Sequence, residues 1–247
     1  MGSENLYRER LAAVTWVAFD LDDTLHEFQR ASAAASKAVF AAISQRYGIF
    51  TTRLQDQYTV ILREKTLHAF SDGRLSHEYR RERFLALLGS FEIAIDDDFV
   101  QKLLTLYESS LASSLKLKDG ALSLLQRLKH LGKKIAVITE GPQDAQAWTI
   151  TQLGIETYVD YLATTNQFRV SKTSGLIPQV LEHLGIKPNE IVHIEDSMER
   201  DIVPASKEGI LCIHLADKQG GMTDDGVFQV SELAKVERLL LQDEGVV

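Results

Sequence analysis

Residues 16–25 read Trp-Val-Ala-Phe-Asp-Leu-Asp-Asp-Thr-Leu, an apolar run that leads into three carboxylates and a hydroxyl. A short apolar run of this kind is typical of a buried strand in a parallel sheet. In open α/β sheets, ligands bind beyond the carboxyl ends of the strands. We therefore expect Asp20 and Asp22 to project from the end of this strand into a ligand crevice.

Asp20 and Asp22 are close enough to repel each other. On an extended chain their side chains lie about 6.6–6.8 Å apart on one side of the strand. Two carboxylates at that distance repel by about 2 kcal/mol at an effective dielectric constant of about 20. Mg²⁺ would remove the repulsion, since it prefers carboxylate and substrate oxygens as ligands. A solvated acidic turn after a strand explains the same residues, so the rest of the chain must decide.

The composition limits the possible classes of protein. With 247 residues, of which 45% are hydrophobic, the chain can form one large domain or a core with an inserted domain. Its formal net charge of -8 argues against a nucleic-acid-binding surface. The single cysteine, Cys212, lies in an apolar run, and the sequence has neither a leader-like N-terminus nor a long apolar segment. We expect a cytoplasmic protein with a buried, inert thiol and no membrane partner.

Residues 27–114 predict a helical domain inserted after the first strand. Apolar residues recur at helical spacing in the segments 31–47, 54–69, 76–88 and 97–113. Asp97 or Asp98 is the expected cap of the last of these helices. Four helices joined by short loops form a small bundle, which here would cover the carboxyl edge of the sheet.

After residue 119 the pattern alternates between helices and short apolar strands. The predicted strands are 134–139, 161–164, 191–194 and 210–215. The predicted helices are 121–131, 143–153, 174–184, 199–208 and 231–241. This alternation predicts an α/β fold, a Rossmann-like parallel sheet covered by helices on both faces. We assign residues 1–26 and 115–247 to this core, and we assign no role to the polar segment 1–10.

Two motifs at strand ends resemble those of a known family. Residues 20–24 match the first motif, D-x-D-x-T, of the haloacid dehalogenase (HAD) superfamily of phosphohydrolases. Thr139, at the end of the strand 134–139, is similar to the hydroxyl residue of the second motif, with Gly141 after it. Glu140 stands where this family normally has Asn. A strand-ending threonine alone is usually structural.

Two further motifs follow in the family's order. Lys172 resembles the lysine of the third motif, although Thr173 stands where the family often has Pro. Glu195 and Asp196 follow the strand 191–194, and Asp201 completes the acidic spacing of the fourth motif. Separately, these residues could be a solvated lysine and an acidic helix N-terminus. Their order together favours the family.

The resemblance covers about residues 14–25 and 115–215 and matches the position of the family's helical cap of the C1 type. It implies a Mg²⁺-dependent phosphatase that hydrolyses a small phosphorylated metabolite through an aspartyl-phosphate intermediate. Asp20 would be the nucleophile, and Asp22 would be the general acid and base. The residues expected to bind the substrate are Thr139, Glu140, Gly141 and Lys172. Of these, Thr139 and Lys172 would also be catalytic, since they hold the phosphoryl oxygens.

The resemblance also implies the metal ligands. Mg²⁺ would bind the carboxylates of Asp20 and Asp196 and the backbone carbonyl of Asp22. Glu195 and Asp201 would orient these ligands.

Other functions match parts of this sequence pattern. A dehalogenase or a phosphonate hydrolase would lack the second aspartate of the first motif, and Asp22 is present. A phosphosugar mutase keeps both aspartates and stays open, as does a catalytically inactive HAD-fold binding protein. A nucleotide-binding Rossmann enzyme lacks its G-x-G-x-x-G motif after the first strand. The sequence makes no prediction about the substrate's identity or the oligomeric state.

Glu140 is the clearest departure from the family pattern. An ionised glutamate can only accept hydrogen bonds, and beside a phosphoryl dianion it would oppose binding. Either its side chain points away, or a cation neutralises it, and that cation could be an amino group of the substrate. We favour an arginine of the inserted domain, which would make Glu140 a latch. The arginines available for this latch are Arg30, Arg74, Arg80 and Arg81. Together with His26 and His77 they are also the candidates of the inserted domain and its hinge for contact with the substrate, although surface charge is the default for each.

Overall fold

Seven strands form one sheet in a computed structural model that describes residues 2–66, 70–216 and 220–241. The strands are β1 (Trp16–Phe19), β2 (Lys134–Thr139), β3 (Tyr161–Thr164), β4 (Ile191–Glu195), β5 (Leu211–Leu215), β6 (Gly221–Met222) and β7 (Phe228–Val230). Their order across the sheet is β3-β2-β1-β4-β5-β7-β6. All neighbours are parallel except β6 and β7.

Helices cover the sheet and fill the long segment between β1 and β2. In the described ranges they are α1 (Gly2–Ala13), α2 (Phe28–Tyr47), α3 (Thr51–Lys65), α4 (Ser76–Gly89), α5 (Asp97–Ser114), α6 (Ala121–His130), α7 (Gln143–Gln152), α8 (Thr165–Phe168), α9 (Leu176–Leu184), α10 (Val203–Lys207) and α11 (Leu233–Leu241). None of these helices is both long and apolar enough to cross a membrane.

The register of the central strands brings the predicted motifs to one edge. Phe19, the last residue of β1, pairs with Val137 of β2 and with Ile194 of β4. Because these strands are parallel, the residues after Phe19, Thr139 and Ile194 emerge at the same carboxyl edge. The predicted α/β fold with a parallel sheet is confirmed, and the strand ends carry the motif residues as expected.

Three expectations about local structure are wrong or incomplete. The cap of α5 is Asp96, whose Oδ1 accepts a hydrogen bond from the backbone N of Phe99, rather than Asp97 or Asp98. The helix predicted over 199–208 begins as a π-helical turn, Met198–Ile202, because Pro204 has no N–H to continue a regular ladder. The helix predicted over 54–69 is observed as α3, and residues 67–69 lie outside the described residues, as do 242–247 of the predicted core.

The polar N-terminal segment, which has no predicted role, forms most of α1. Tyr7 and Leu11 lie one helical turn apart and are buried in the core. The Tyr7 hydroxyl donates a 2.7 Å hydrogen bond to the carbonyl oxygen of Cys212 in β5, which is itself buried. Two apolar anchors among polar residues are a weak pattern, which is why the helix could not be predicted.

The apolar side chains of α2–α5 form a cluster of their own. Its fully buried members include Ile43, Leu54, Phe84 and Leu103. Two other clusters cover the two faces of the sheet, one of them around Phe19. This separation supports the proposed division into a core and an inserted helical domain over 27–114.

Two polar side chains beside the sheet hold the start of α4. Asp144, in the first turn of α7, accepts hydrogen bonds from the backbone N and the Oγ of Ser76, at 3.0 and 2.7 Å. Asn166 of α8 donates from Nδ2 to the carbonyl oxygens of Phe70 and Arg74, at 3.2 and 3.0 Å. A carboxylate at a helix N-terminus satisfies an N–H group that has no partner within the helix. These bonds therefore fix α4 relative to the sheet.

We predict that Asp144→Ala lowers the free energy of unfolding by about 1–2 kcal/mol, because it removes this capping carboxylate. Asp56→Ala, at an exposed position of α3, is the matched control and should change stability by less than about 0.5 kcal/mol. Urea denaturation followed by circular dichroism measures both. Equal midpoints for the two variants would show that the Asp144 contact contributes nothing.

Candidate active site

Lys172 lies at the centre of a buried charged cluster below the carboxyl edge of the sheet. Its Nζ is 2.7 Å from Oδ1 of Asp20, 2.8 Å from Oε1 of Glu195 and 2.9 Å from Oδ1 of Asp201. All four side chains are buried, and Lys172 is only 3% exposed. One ammonium among three carboxylates leaves an excess of negative charge.

The pKa values of the clustered side chains depart from their usual ranges. Burial raises the pKa of Asp20 to about 7, although the neighbouring Lys172 opposes the shift. Burial likewise raises the pKa of Glu195 well above its usual range. Burial alone would lower the pKa of Lys172, but the adjacent carboxylates raise it well above its usual value, so the ammonium stays charged. The cluster would hold its carboxylates ionised more easily with a further cation.

A second acidic residue of β4's end, Asp196, completes a possible metal site. Single carboxylate oxygens of Asp20, Glu195 and Asp196 all lie within 4.8 Å of one another. Among the described residues, Oε2 of Glu195 is buried without a hydrogen-bond partner. Oxygen-only donors suit a hard divalent cation such as Mg²⁺. The side chains present therefore fit the magnesium site that the sequence predicts.

The Asp22 carboxylate is held by two other side chains. Its Oδ1 lies 2.9 Å from Nε2 of the buried His26, and its Oδ2 accepts a 3.2 Å hydrogen bond from Nε2 of Gln146. The two aspartates of the first motif thus have different partners: Asp20 contacts Lys172, and Asp22 contacts His26 and Gln146. The backbone carbonyl of Asp22 as a metal ligand stays a prediction.

A cavity of about 470 Å³ opens between the strand ends and the inserted helices. Asp20, Thr139 and Lys172 line it on the side of the sheet, and Tyr58 and Tyr107 line it on the other. Thr139 is buried, and its hydroxyl has no hydrogen-bond partner within the described part of the chain. This volume is in the range of small-molecule sites.

The motifs at this site belong to one protein family. The family model described as a haloacid dehalogenase-like hydrolase matches residues 14–209, a range that contains every element from β1 to α10. The chain belongs to this HAD-like hydrolase family. The predicted family and its hydrolase class are therefore confirmed.

Individual HAD relatives cover most of the chain. Glyceraldehyde 3-phosphate phosphatase of Methanocaldococcus jannaschii is 26% identical over 212 residues, which are 85% of this chain and 88% of the relative. N-acylneuraminate-9-phosphatase of Rattus norvegicus is 23% identical over 222 residues, 86% of each chain. The magnesium-bound structure of the HAD-hydrolase YfnB from Bacillus subtilis has a TM-score of 0.70 at 22% identity, over 92% of this chain and 99% of YfnB. The last likeness shows that the fold is shared.

Glu140, where HAD enzymes normally have Asn, does not contact an arginine of the inserted domain. Its Oε2 lies 3.6 Å from Nη1 of Arg200, in the π-helical turn after β4. The expected latch to the inserted helices is therefore wrong. Most of the expected partners have carboxylates of their own: Arg30 pairs with Glu27, Arg74 with Asp72 and Glu82, and Arg81 with Asp97.

Gln146 is a site residue of this HAD chain that sequence analysis missed. Besides Asp22, its Nε2 also donates to the carbonyl oxygen of Glu140, at 3.0 Å. A glutamine in the first turns of a helix carries no recognisable signal. Its neighbour Gly141 does, because it has a φ of +144° and a Cβ there would lie 2.5 Å from Nε2 of Gln146. Gly141 is thus required for the approach of Gln146 to Asp22.

We predict that Gly141→Ala lowers kcat/KM for p-nitrophenyl phosphate by about tenfold or more, because the methyl group pushes Gln146 off Asp22. Gly221→Ala is the control for backbone strain, since Gly221 has a similar φ of +154° but open space around it. Steady-state kinetics measure both variants. In a Gln146→Ala background, Gly141→Ala should have little further effect. A full additional loss there would mean that Gly141 acts independently of Gln146.

Proposed function

We propose that the protein is a Mg²⁺-dependent phosphatase, a HAD-type phosphoric monoester hydrolase that cleaves a small phosphorylated metabolite. The observation that carries this proposal is the buried contact of Asp20 with Lys172, which both line a cavity of about 470 Å³, beside two further carboxylates. Relatives named as phosphatases over most of the chain support it.

Asp20 is the proposed nucleophile. A carboxylate oxygen of Asp20 forms a bond to phosphorus while the bond from phosphorus to the ester oxygen breaks, which gives an aspartyl-phosphate and an alcohol. Lys172, 2.7 Å from Oδ1 of Asp20, orients the carboxylate and favours its ionised form against the effect of burial. It also places positive charge where the phosphoryl oxygens enter.

Asp22 is the proposed general acid and base. It gives its proton to the leaving ester oxygen, and it then takes a proton from the water that hydrolyses the aspartyl-phosphate. His26 and Gln146 each bind one oxygen of the Asp22 carboxylate. They act as positioning residues, because each contact fixes one oxygen of the carboxylate and the two together fix its orientation.

Thr139 and Gly141 are proposed to bind the phosphoryl group from the side of β2. The buried hydroxyl of Thr139, which has no partner among the described residues, can donate to a phosphoryl oxygen. The proposed contribution of Glu140 to phosphoryl binding comes from its backbone, since its carboxylate is turned toward Arg200. The phosphoryl group would therefore contact the hydroxyl of Thr139 and the ammonium of Lys172. The carboxylate of Glu140 in this loop is paired with Arg200.

Asp20, Asp196 and the backbone carbonyl of Asp22 are the proposed ligands of Mg²⁺, with Glu195 close enough to contribute an oxygen. When bound, the ion supplies charge neutralisation for the phosphoryl oxygens and for the surrounding carboxylates. Thr24 donates a 3.4 Å hydrogen bond to Oδ1 of Asp196 and so orients this ligand.

We predict that Asp20→Asn abolishes the release of inorganic phosphate from p-nitrophenyl phosphate, with a loss of at least about 10³-fold, because an amide is not a nucleophile at phosphorus. Asp23→Asn is the matched control. Asp23 belongs to the same motif, but it accepts a hydrogen bond from the backbone N of Gln29, which an amide oxygen also accepts. This variant should keep most of its activity.

Removal of metal by EDTA should abolish turnover, and added Mg²⁺ should restore it. Phosphate release by Asp20→Asn, or undiminished turnover in EDTA, would contradict the mechanism. A phosphosugar mutase would transfer phosphate between positions of one sugar without releasing it in stoichiometric amounts. A binding protein on an inactive fold would release no phosphate.

A further inference from the structure

Two arginines of α4 border the cavity on the side of the inserted helices. Arg80 and Arg83 both line it, and both are half-buried. They are three residues apart, which places them on one face of the helix. Arg81, between them, is exposed and points to another side, where it lies 2.7 Å from Asp97.

Neither cavity arginine has a carboxylate partner. Across the described ranges of the chain, no aspartate or glutamate oxygen lies within 4.0 Å of the guanidinium group of Arg80 or Arg83. By contrast, Arg46 and Arg74 lie 2.7 and 2.8 Å from a carboxylate. Arg80 and Arg83 are therefore less neutralised than Arg46 and Arg74, and less than Arg200, which also lines the cavity but lies 3.6 Å from Oε2 of Glu140.

The contacts that Arg80 and Arg83 do make are with neutral groups. Nε of Arg83 donates a 3.1 Å hydrogen bond to the carbonyl oxygen of Tyr79, and Tyr58 lines the same cavity. Burial raises the pKa of Tyr58 to about 12, so this phenol carries no negative charge. The guanidinium of Arg80 lies 5.3 Å from the centre of the Tyr107 ring.

These contacts orient the arginines without neutralising them. Two like charges on one helix face repel each other, and partial burial weakens their hydration. A guanidinium group matches the planar or tetrahedral oxygens of a carboxylate or a phosphate through paired N–H groups. An oxyanion in the cavity would therefore be bound there by two cations with open donors.

The cavity joins this pair to the proposed reaction centre. Its sheet side is lined by Asp20, Thr139 and Lys172, and its helix side also carries apolar groups such as Leu62 and Phe70. A phosphoryl group at Lys172 would leave the rest of a small substrate to extend between these walls. The end of that substrate would meet the arginines of α4.

We propose that Arg80 and Arg83 bind a second anionic group of the substrate, a carboxylate or a second phosphate, remote from the phosphoryl group that is hydrolysed. This inference rests on the proposed phosphatase function. It makes the two arginines determinants of specificity, and it defines the substrate class as phosphorylated acids or bisphosphates.

The test uses pairs of substrates that differ only in the second anion. 3-Phosphoglycerate and glycerol 3-phosphate report on a carboxylate, and fructose 1,6-bisphosphate and fructose 6-phosphate report on a second phosphate. We expect the wild-type kcat/KM to favour the anionic member of at least one pair by about tenfold or more, the factor that one charge-assisted hydrogen bond can supply. The pair with the larger ratio identifies the anion.

Variants then assign this preference to residues. Arg80→Gln and Arg83→Gln should each reduce the ratio by about fivefold or more, mainly through KM, and the double variant should bring it near unity. Arg83→Lys should restore part of the preference, which a purely structural role would not. Arg81→Gln is the matched control on the same helix and should keep the wild-type ratio. A ratio that survives in the double variant would overturn the assignment to these arginines.

The outcomes separate this inference from the proposed function. Wild-type protein that hydrolyses p-nitrophenyl phosphate but prefers neither anionic substrate would overturn the inference and leave the phosphatase assignment intact. Wild-type protein that releases no phosphate from any of these compounds would overturn both. The wild-type comparison needs no variant, so a failure of an arginine variant to fold does not affect it.

Discussion

The contact of one buried ammonium with three buried carboxylates is the constraint on which the rest of the site depends. Lys172 reaches Asp20, Glu195 and Asp201 only because β1 and β4 are neighbours in register and the loop before α9 returns to the same edge. Burying these charges is unfavourable unless they remain together. The parallel order of the central strands is thus tied to the electrostatics of the residues at their ends.

Much of the fold and of this edge could be predicted from sequence. The run before Asp20 and the strand before Glu195 are apolar on both faces, which is the pattern of a central parallel strand, and parallel strands bring their carboxyl ends together. The convergence of Asp20, Thr139, Lys172 and Asp196 at one cavity follows from that geometry. The strands β6 and β7 were not predicted, because two and three residues are too short to show a period.

The parts of the site that could not be predicted from the sequence depend on distances between side chains. Gln146 and His26 have no special pattern, yet they determine where the Asp22 carboxylate points. The partner of Glu140 was expected on the inserted helices, but the carboxylates there already neutralise Arg30, Arg74 and Arg81. Competition among neighbouring charges accounts for these three arginines. Arg80 has no carboxylate partner among the described residues, and Glu140 pairs instead with Arg200, a proximity that a linear sequence does not show.

The first turns of α7 carry two contacts that lead in opposite directions. Asp144 holds the start of α4, the helix of Arg80 and Arg83, and Gln146, two residues later, holds Asp22. Any rotation of α4 away from the sheet must break the bonds of Asp144 or displace this end of α7. The position of α4 and the orientation of the Asp22 carboxylate are thus linked through a single turn, so a movement of α4 that keeps the bonds of Asp144 would also displace Gln146 from Asp22.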